Sequence, residues 1–107
     1  MRADLEHLDE LVRFVAEAVH PLKIILFGSA ARGDARPDSD IDIMVVMPEG
    51  THRRRTAQDL YMLLYEAGFP AAVDIVVAVP GDIEKYRDDI GYIYHRVLKE
   101  GRELYAA

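Results

Sequence analysis

Apolar residues recur every three or four positions in three parts of the chain, a pattern that is typical of helices with one buried face. The first part predicts a helix that ends before Pro21, and the second predicts a helix over residues 52–67 that Gly68 stops. The third predicts a helix over residues 90–99, which Gly101 caps. The inward positions of these helices are expected to be Leu5, Leu8, Val12, Val15 and Val19, then Ala57, Leu60, Leu64 and Ala67, and then Ile90, Ile93, Tyr94, Val97 and Leu98.

Short, nearly continuous apolar runs lie between the predicted helices and predict strands. Residues 22–27 form the first run, which Gly28 closes, and its composition indicates a strand buried on both faces. Residues 40–47 and 71–79 form two further runs rich in β-branched residues, and each is followed by a proline. Between the first two strands, residues 29–32 have helix-forming content but room for only a turn or two.

The order of these elements places the chain in the α/β or α+β class, with a small sheet covered by helices. The order is helix, strand, short helix, strand, helix, strand, helix, with a short helix or turn over residues 80–89 before the last helix. The 107 residues suffice for one domain but not for two independent cores, so residues 1–107 are expected to form a single domain. A partner subunit in a homo- or hetero-oligomer would add to the thin stability of so small a domain.

Composition and charge exclude several kinds of site and partner. The absence of cysteine excludes disulfides, thiolate metal sites and cysteine nucleophiles. The formal net charge of −6 argues against direct nucleic-acid binding, and the three arginines at residues 53–55 are interpreted as a solvated helix surface. The acidic N-terminal region does not resemble a signal peptide, and no run approaches the roughly 20 apolar residues of a membrane span. The protein is therefore expected in the cytoplasm.

Acidic residues interrupt two of the predicted strands. Asp40 and Asp42 stand two positions apart, so their side chains leave the same face of a strand about 7 Å apart. Adjacent carboxylates beside a core repel each other unless a cation lies between them or they reach solvent. Oxygen ligands without cysteine favour Mg²⁺ or Mn²⁺ over zinc. Asp74 interrupts the third strand in the same way, so Asp40, Asp42 and Asp74 predict a site for two metal ions if the two strands are neighbours.

A glycine and a serine follow the first strand, at the start of the short helix. Gly28 allows a ligand to approach the backbone closely, Ser29 adds a hydroxyl, and a helix N-terminus offers free N–H groups. These features predict a phosphate site, which Arg32 and Gly33 extend. A phosphate site beside carboxylate-held metal, without a P-loop signature, indicates phosphoryl or nucleotidyl transfer.

Residues 27–33, Phe-Gly-Ser-Ala-Ala-Arg-Gly, and residues 39–43, Ser-Asp-Ile-Asp-Ile, resemble the minimal nucleotidyltransferases of the DNA polymerase β-like superfamily. The family motif is Gly-Ser, ten residues, then Asp-x-Asp, and the fixed spacing makes it specific. The first helix, Asp74 and the closing residues 100–105 also look like that family, so the resemblance covers essentially the whole chain. It implies the nucleotidyltransferase fold, a small mixed sheet flanked by helices.

The resemblance also implies an activity. By it, Gly28 and Ser29 would bind the triphosphate of ATP, Asp40 and Asp42 would hold two Mg²⁺ ions, and Asp74 would complete the site. Members of the family are characteristically antitoxins whose partner is a helical HEPN-domain ribonuclease toxin. The resemblance thus implies that this chain adenylylates a tyrosine of such a toxin, which would block RNA cleavage by added bulk and negative charge.

Several alternatives remain open from the sequence alone. The chain could neutralise a toxin by contact without catalysis, or transfer a nucleotide to a small molecule or to RNA. The aspartate pair of the second strand could be a solvated strand start, and Asp74 could face water on an edge strand. Arg32 could instead form a salt bridge with Asp34 or Asp38, and Ser29 could be a helix N-cap.

Overall fold

A computed structural model of the chain describes residues 3–34, 36 and 40–107, together with the side chains from His7 onward in that set. This part of the chain forms five helices and four strands. Their bounds are α1 Ala3–Val19, β1 Lys23–Phe27, α2 Gly28–Arg32, β2 Ile41–Val46, α3 Arg53–Glu66, β3 Val73–Ala78, α4 Pro80–Tyr86, α5 Ile93–Glu100 and β4 Arg102–Ala106. The side chain of Leu5 and the whole of Asp38 lie outside the described residues.

The four strands form one mixed sheet in the order β3, β2, β1, β4. Strand β1 runs antiparallel to both β2 and β4, whereas β2 and β3 are parallel and are connected through α3. This arrangement confirms the predicted class and the mixed sheet flanked by helices. None of the helices in the described residues combines the length and the hydrophobicity needed to cross a bilayer.

Both faces of the sheet are covered, which explains why the strands are apolar at almost every position. Alternate strand residues such as Leu26 and Ile43 pack against α1 and α3, where Leu11 and Leu60 are fully buried. The intervening residues, among them Phe27, Met44 and Val46, pack with α4 and α5. The prediction that the first strand is buried on both faces is therefore confirmed.

The predicted ends of the first two long helices agree with the structure to within a residue or two. Helix α1 ends at Val19, before the buried Pro21, and α3 ends at Glu66 with Ala67 as its C-cap. Gly68 follows with a φ of 67°, and its N–H donates to the carbonyl of Tyr65 over 3.1 Å. A left-handed glycine after the last turn is a common end for a helix, as the sequence predicted. Ala67 itself is exposed rather than inward.

The C-terminal region departs most from the prediction. Helix α5 begins at Ile93, not at residue 90, and Ile90 and Leu98 are 84% and 45% exposed instead of inward. Strand β4 was not predicted, because only Leu104 and Tyr105 of its five residues are even partly buried. Its position is determined by backbone pairing with β1, a long-range interaction that leaves little hydrophobic pattern in the sequence.

Candidate active site

The register of the sheet places two of the predicted site aspartates side by side. In the parallel pair of β2 and β3, Asp42 lies opposite Asp74, and in the antiparallel pair of β1 and β2 it lies opposite Phe27. Residues directly opposite each other project from the same face of a sheet. Asp40 is exposed and immediately precedes β2 instead of lying within it as predicted. The structure therefore places Asp40 and Asp42 at the beginning of β2 and Asp74 at the beginning of the neighbouring β3.

Gly28 brings the junction between β1 and α2 against the side chain of Asp42. Its φ is 74°, and a Cβ atom added to it would overlap the carboxylate of Asp42, mainly at Oδ2. Ser29 is half-buried in the next position, and its carbonyl oxygen accepts from the N–H groups of Gly33 and Asp34. Because the N-cap of α2 is Phe27, Ser29 is not the N-cap. The glycine is thus required both by the backbone conformation and by the closeness of Asp42.

The carboxylate of Asp42 lies near two other negative charges, those of Asp74 and Asp40. Burial is the main cause that raises the pKa of its carboxyl above the usual value of 3.8, and the nearby Asp74 and Asp40 raise this pKa further. Arg96 and Arg32 act in the opposite direction. Asp74 and Asp40 therefore lie close enough to Asp42 to disfavour its charged form.

The carboxylates of Asp40, Asp42 and Asp74 are chemically suited to a divalent cation. In the described part of the chain, no three histidine, cysteine or acidic side chains lie together in a group that could hold a metal ion. The available ligands at the site are nevertheless carboxylate oxygens, which are the ligands that Mg²⁺ and Mn²⁺ prefer. A bound cation would offset both the burial of the Asp42 charge and its repulsion by Asp74 and Asp40, which together raise the pKa of Asp42.

Arg32 is engaged with two carboxylates. Its Nη1 lies 3.1 Å from Oε1 of Glu100 and its Nε lies 3.3 Å from Oδ2 of Asp34. The same Oε1 of Glu100 accepts the backbone N–H of Gly28 over 3.2 Å and lies 3.7 Å from Nε of Arg96. The structure thus agrees with the salt-bridge interpretation of Arg32, with Asp34 as one partner. A phosphate bound by Arg32 would have to share the guanidinium group with these carboxylates or displace them.

Tyr61 is a residue of the site that the sequence did not indicate. Its hydroxyl lies 3.2 Å from Oδ1 of Asp74 and accepts the backbone N–H of Ile75 over 2.7 Å. Burial is the main cause that raises the pKa of this hydroxyl, and Asp74 raises it further. Glu100 was likewise not singled out. Both residues reach the site from helices that only the tertiary fold brings beside it, so the sequence does not assign their side chains to the site.

A mixed sheet with a Gly-Ser turn packed against paired strand aspartates is the arrangement expected of a nucleotidyltransferase. The family model described as "Nucleotidyltransferase domain" matches residues 8–104 of the chain. The chain therefore belongs to this family and is an enzyme of the nucleotidyltransferase type. It is 41% identical over 85 residues to protein adenylyltransferase MJ0604 of Methanocaldococcus jannaschii, and the match covers 78% of this chain and 77% of that protein.

Solved structures share the fold. A nucleotidyltransferase from Sulfolobus solfataricus superposes with a TM-score of 0.62 at 23% identity, covering 95% of this chain and 79% of that chain. A toxin–antitoxin structure with AMP-PNP gives a TM-score of 0.65 at 24% identity, covering 94% and 74%. A mutant of the toxin–antitoxin pair MntA–HpeT gives 0.65 at 22% identity, covering 92% and 73%. At these identities the likeness establishes the fold alone.

Proposed function

We propose that this chain is a protein adenylyltransferase that transfers AMP from ATP to a hydroxyl of a partner toxin and thereby acts as its antitoxin. The acceptor in this proposal is a tyrosine of a HEPN-domain ribonuclease. The observation that carries the proposal is the register that sets Asp42 beside Asp74, with Gly28 packed directly against Asp42. Its support from relatives is the 41% identity to a protein that is named as a protein adenylyltransferase.

This geometry supports the roles that we propose for the site residues. Asp40, Asp42 and Asp74 would hold Mg²⁺, with Mn²⁺ as a substitute, and the bound ions would neutralise phosphate charge and lower the pKa of the acceptor hydroxyl. Gly28 and Ser29 would bind the triphosphate, since the turn allows a ligand to approach the backbone. In our proposal Arg32 also contacts the phosphates.

The proposed transfer is a direct displacement of pyrophosphate by the acceptor hydroxyl. The acceptor oxygen forms a bond to the α-phosphorus of ATP, the bond from that phosphorus to the oxygen bridging the α- and β-phosphates breaks, and pyrophosphate leaves. The hydroxyl proton passes to Asp74, which is exposed and therefore accessible to an acceptor side chain. No covalent intermediate on this chain is needed.

A toxin is proposed as the acceptor because two structures that share the fold are toxin–antitoxin pairs, one of them with AMP-PNP. A modified tyrosine would carry a bulky group and an added negative charge, both of which oppose RNA binding. In this proposal the protein acts in the cytoplasm, where ATP and the toxin are available.

The test uses the purified chain, the co-expressed partner toxin, Mg²⁺ and labelled ATP. We expect the toxin to gain the mass of adenylyl units and to lose its ribonuclease activity. Asp42→Asn and Asp40→Asn should each reduce transfer by about 100-fold or more, because each removes a charged ligand. Asp9→Asn makes the same chemical change at an exposed position of α1 and should leave transfer unchanged.

The outcomes separate the proposal from its alternatives. If the chain acts by binding alone, the Asp42→Asn variant would still protect against the toxin, and the toxin would gain no mass. A small-molecule or RNA transferase would label those acceptors and not the toxin. No transfer from any of the four nucleoside triphosphates to any acceptor would refute catalysis.

A further inference from the structure

The side chain of Tyr61 crosses the outer edge of the sheet. Strand β3 is an edge strand, because its only neighbour in the described sheet is β2. The hydroxyl of Tyr61, on α3, accepts the N–H of Ile75 over 2.7 Å and lies 3.4 Å from the Ile75 carbonyl oxygen. The backbone groups of Ile75 therefore face outward, and the Tyr61 hydroxyl accepts the Ile75 N–H where the sheet would otherwise be open.

The hydrogen-bond directions at this hydroxyl follow from its single proton. The Ile75 N–H can only donate, so the hydroxyl oxygen accepts there and its own proton is available for one other partner. The two candidates are Oδ1 of Asp74 at 3.2 Å and the Ile75 carbonyl at 3.4 Å. The carboxylate is both closer and ionised, and hydrogen bonds to ionised acceptors are stronger. Tyr61 therefore donates to Asp74.

This bond constrains the side chain of Asp74. Asp74 is exposed, and an exposed aspartate normally samples several rotamers. Tyr61 is tied to the sheet backbone through Ile75, so it fixes one carboxylate oxygen, Oδ1, relative to β3. The other oxygen of Asp74, Oδ2, is left for the reacting groups.

We infer that Tyr61 is a positioning residue for adenylyl transfer, which holds the Asp74 carboxylate in the orientation that the acceptor hydroxyl requires. The inference rests on the proposed function, because it assigns Asp74 a part in the reaction. Tyr61 acts through Asp74 and neither contacts ATP nor accepts AMP. A small displacement of a reacting group costs much of the rate, whereas the binding of ATP to the Gly-Ser turn does not depend on it.

The test compares Tyr61→Phe with Tyr65→Phe. Both variants remove one phenolic oxygen from α3, but Tyr65 is 84% exposed and lies one turn further along the helix. With the partner toxin as acceptor, Tyr61→Phe should lower kcat by about 10- to 100-fold and change the KM for ATP by less than about twofold. Tyr65→Phe should leave both constants unchanged. The assays are run below the Tm of each variant.

A purely structural role for Tyr61 predicts a different result. In that case Tyr61→Phe would lower the Tm through the lost Ile75 bond but leave kcat unchanged, and that result would overturn the inference. A rise in KM for ATP with unchanged kcat, or adenylyl units found on Tyr61 itself, would also overturn it. If the wild-type chain transfers nothing, the proposed function has failed; if it transfers and Tyr61→Phe equals it, only the role of Tyr61 has failed.

A second pair of variants isolates the path through Asp74. Asp74→Glu lengthens the side chain by one methylene group, which should displace the carboxylate from the Tyr61 hydroxyl while keeping its charge. In this background, adding Tyr61→Phe should change kcat by less than about twofold, because the positioning contact is already lost. If Tyr61→Phe kept its full effect in the Asp74→Glu background, the hydroxyl would act elsewhere and the inference would be overturned.

Discussion

Gly28 meets two demands at once, and each excludes a side chain. Its backbone has a φ of 74°, which costs an L-residue about 1–2 kcal/mol. In addition, a Cβ atom would occupy the space of the Asp42 carboxylate. The first demand is shared with other glycines of the chain. The second is specific to the site, since it couples the Gly-Ser turn to Asp42.

Gly28→Ala is therefore compared with Gly68→Ala. Gly68 has a similar φ of 67° at the end of α3, but a Cβ there meets nothing within 4 Å. Gly68→Ala should lower the free energy of unfolding by about 1–2 kcal/mol and leave transfer unchanged. Gly28→Ala should cost more and should reduce adenylyl transfer by about 10- to 100-fold, because Asp42 must move. Urea unfolding and the toxin-labelling assay measure these effects, and equal behaviour of the two variants would contradict the coupling.

The residues that could be predicted from the sequence are those whose signal is local. Gly28, Asp40 and Asp42 lie within one short motif, and Asp74 stands out as a charge in an apolar run. Tyr61 and Glu100 could not be predicted in the same way. Tyr61 contacts Asp74 across 13 positions, and Glu100 contacts Gly28 across 72, so only the tertiary fold brings them together.

Among the helices and strands, those with a regular spacing of hydrophobic residues could be predicted from the sequence. Helices α1 and α3 and strands β1 to β3 bury a continuous face, and each leaves a clear pattern. Strand β4 and the start of α5 do not. Strand β4 forms mainly by pairing with β1, with a register irregularity between Ile24 and Ile25 that no period could indicate.

The junction between α5 and β4 depends on the absence of a side chain at Gly101. Its backbone is extended, with a φ of −71°, so conformation alone does not require glycine. A Cβ atom there would overlap the carbonyl of Val97 and lie 2.7 Å from Cγ2 of Ile25. The glycine lets the end of α5 lie against β1, where the carboxylate of Glu100 reaches Gly28.

Gly101→Ala should therefore destabilise the fold by about 1–3 kcal/mol through overpacking at β1. Gly91→Ala is the control, because Gly91 also lacks a positive φ and its nearest neighbour would be an aspartate oxygen at 3.3 Å. The control should change stability by less than about 0.5 kcal/mol. Urea unfolding followed by circular dichroism measures both. An equally small effect at Gly101 would mean that α5 and β1 separate easily.

For the molecule as a whole, the acidic site lowers stability at neutral pH. The chain carries a formal net charge of −6, and the raised pKa of Asp42 means that its ionised form is disfavoured by burial, Asp74 and Asp40. The unfolded chain releases this proton near the usual pKa of 3.8, whereas the folded chain releases it at higher pH. The stability contributed by protonated Asp42 is therefore complete below that value and is lost as the pH rises through the folded pKa.

Asp42→Asn removes this ionisation while keeping the shape of the side chain. At pH 7 and without divalent ions, the variant should have a Tm a few degrees above that of the wild type, and the difference should disappear below about pH 3. Mg²⁺ should reverse the order: it should raise the Tm of the wild type by binding the folded state only, and should have little effect on Asp42→Asn. NaCl of equal ionic strength is the control, because it screens charge without occupying the site. A variant that is less stable than the wild type at pH 7 without Mg²⁺ would show that the charge of Asp42 does not lower the stability of the fold. An equal response of both proteins to Mg²⁺ would show that Asp42 does not bind the ion.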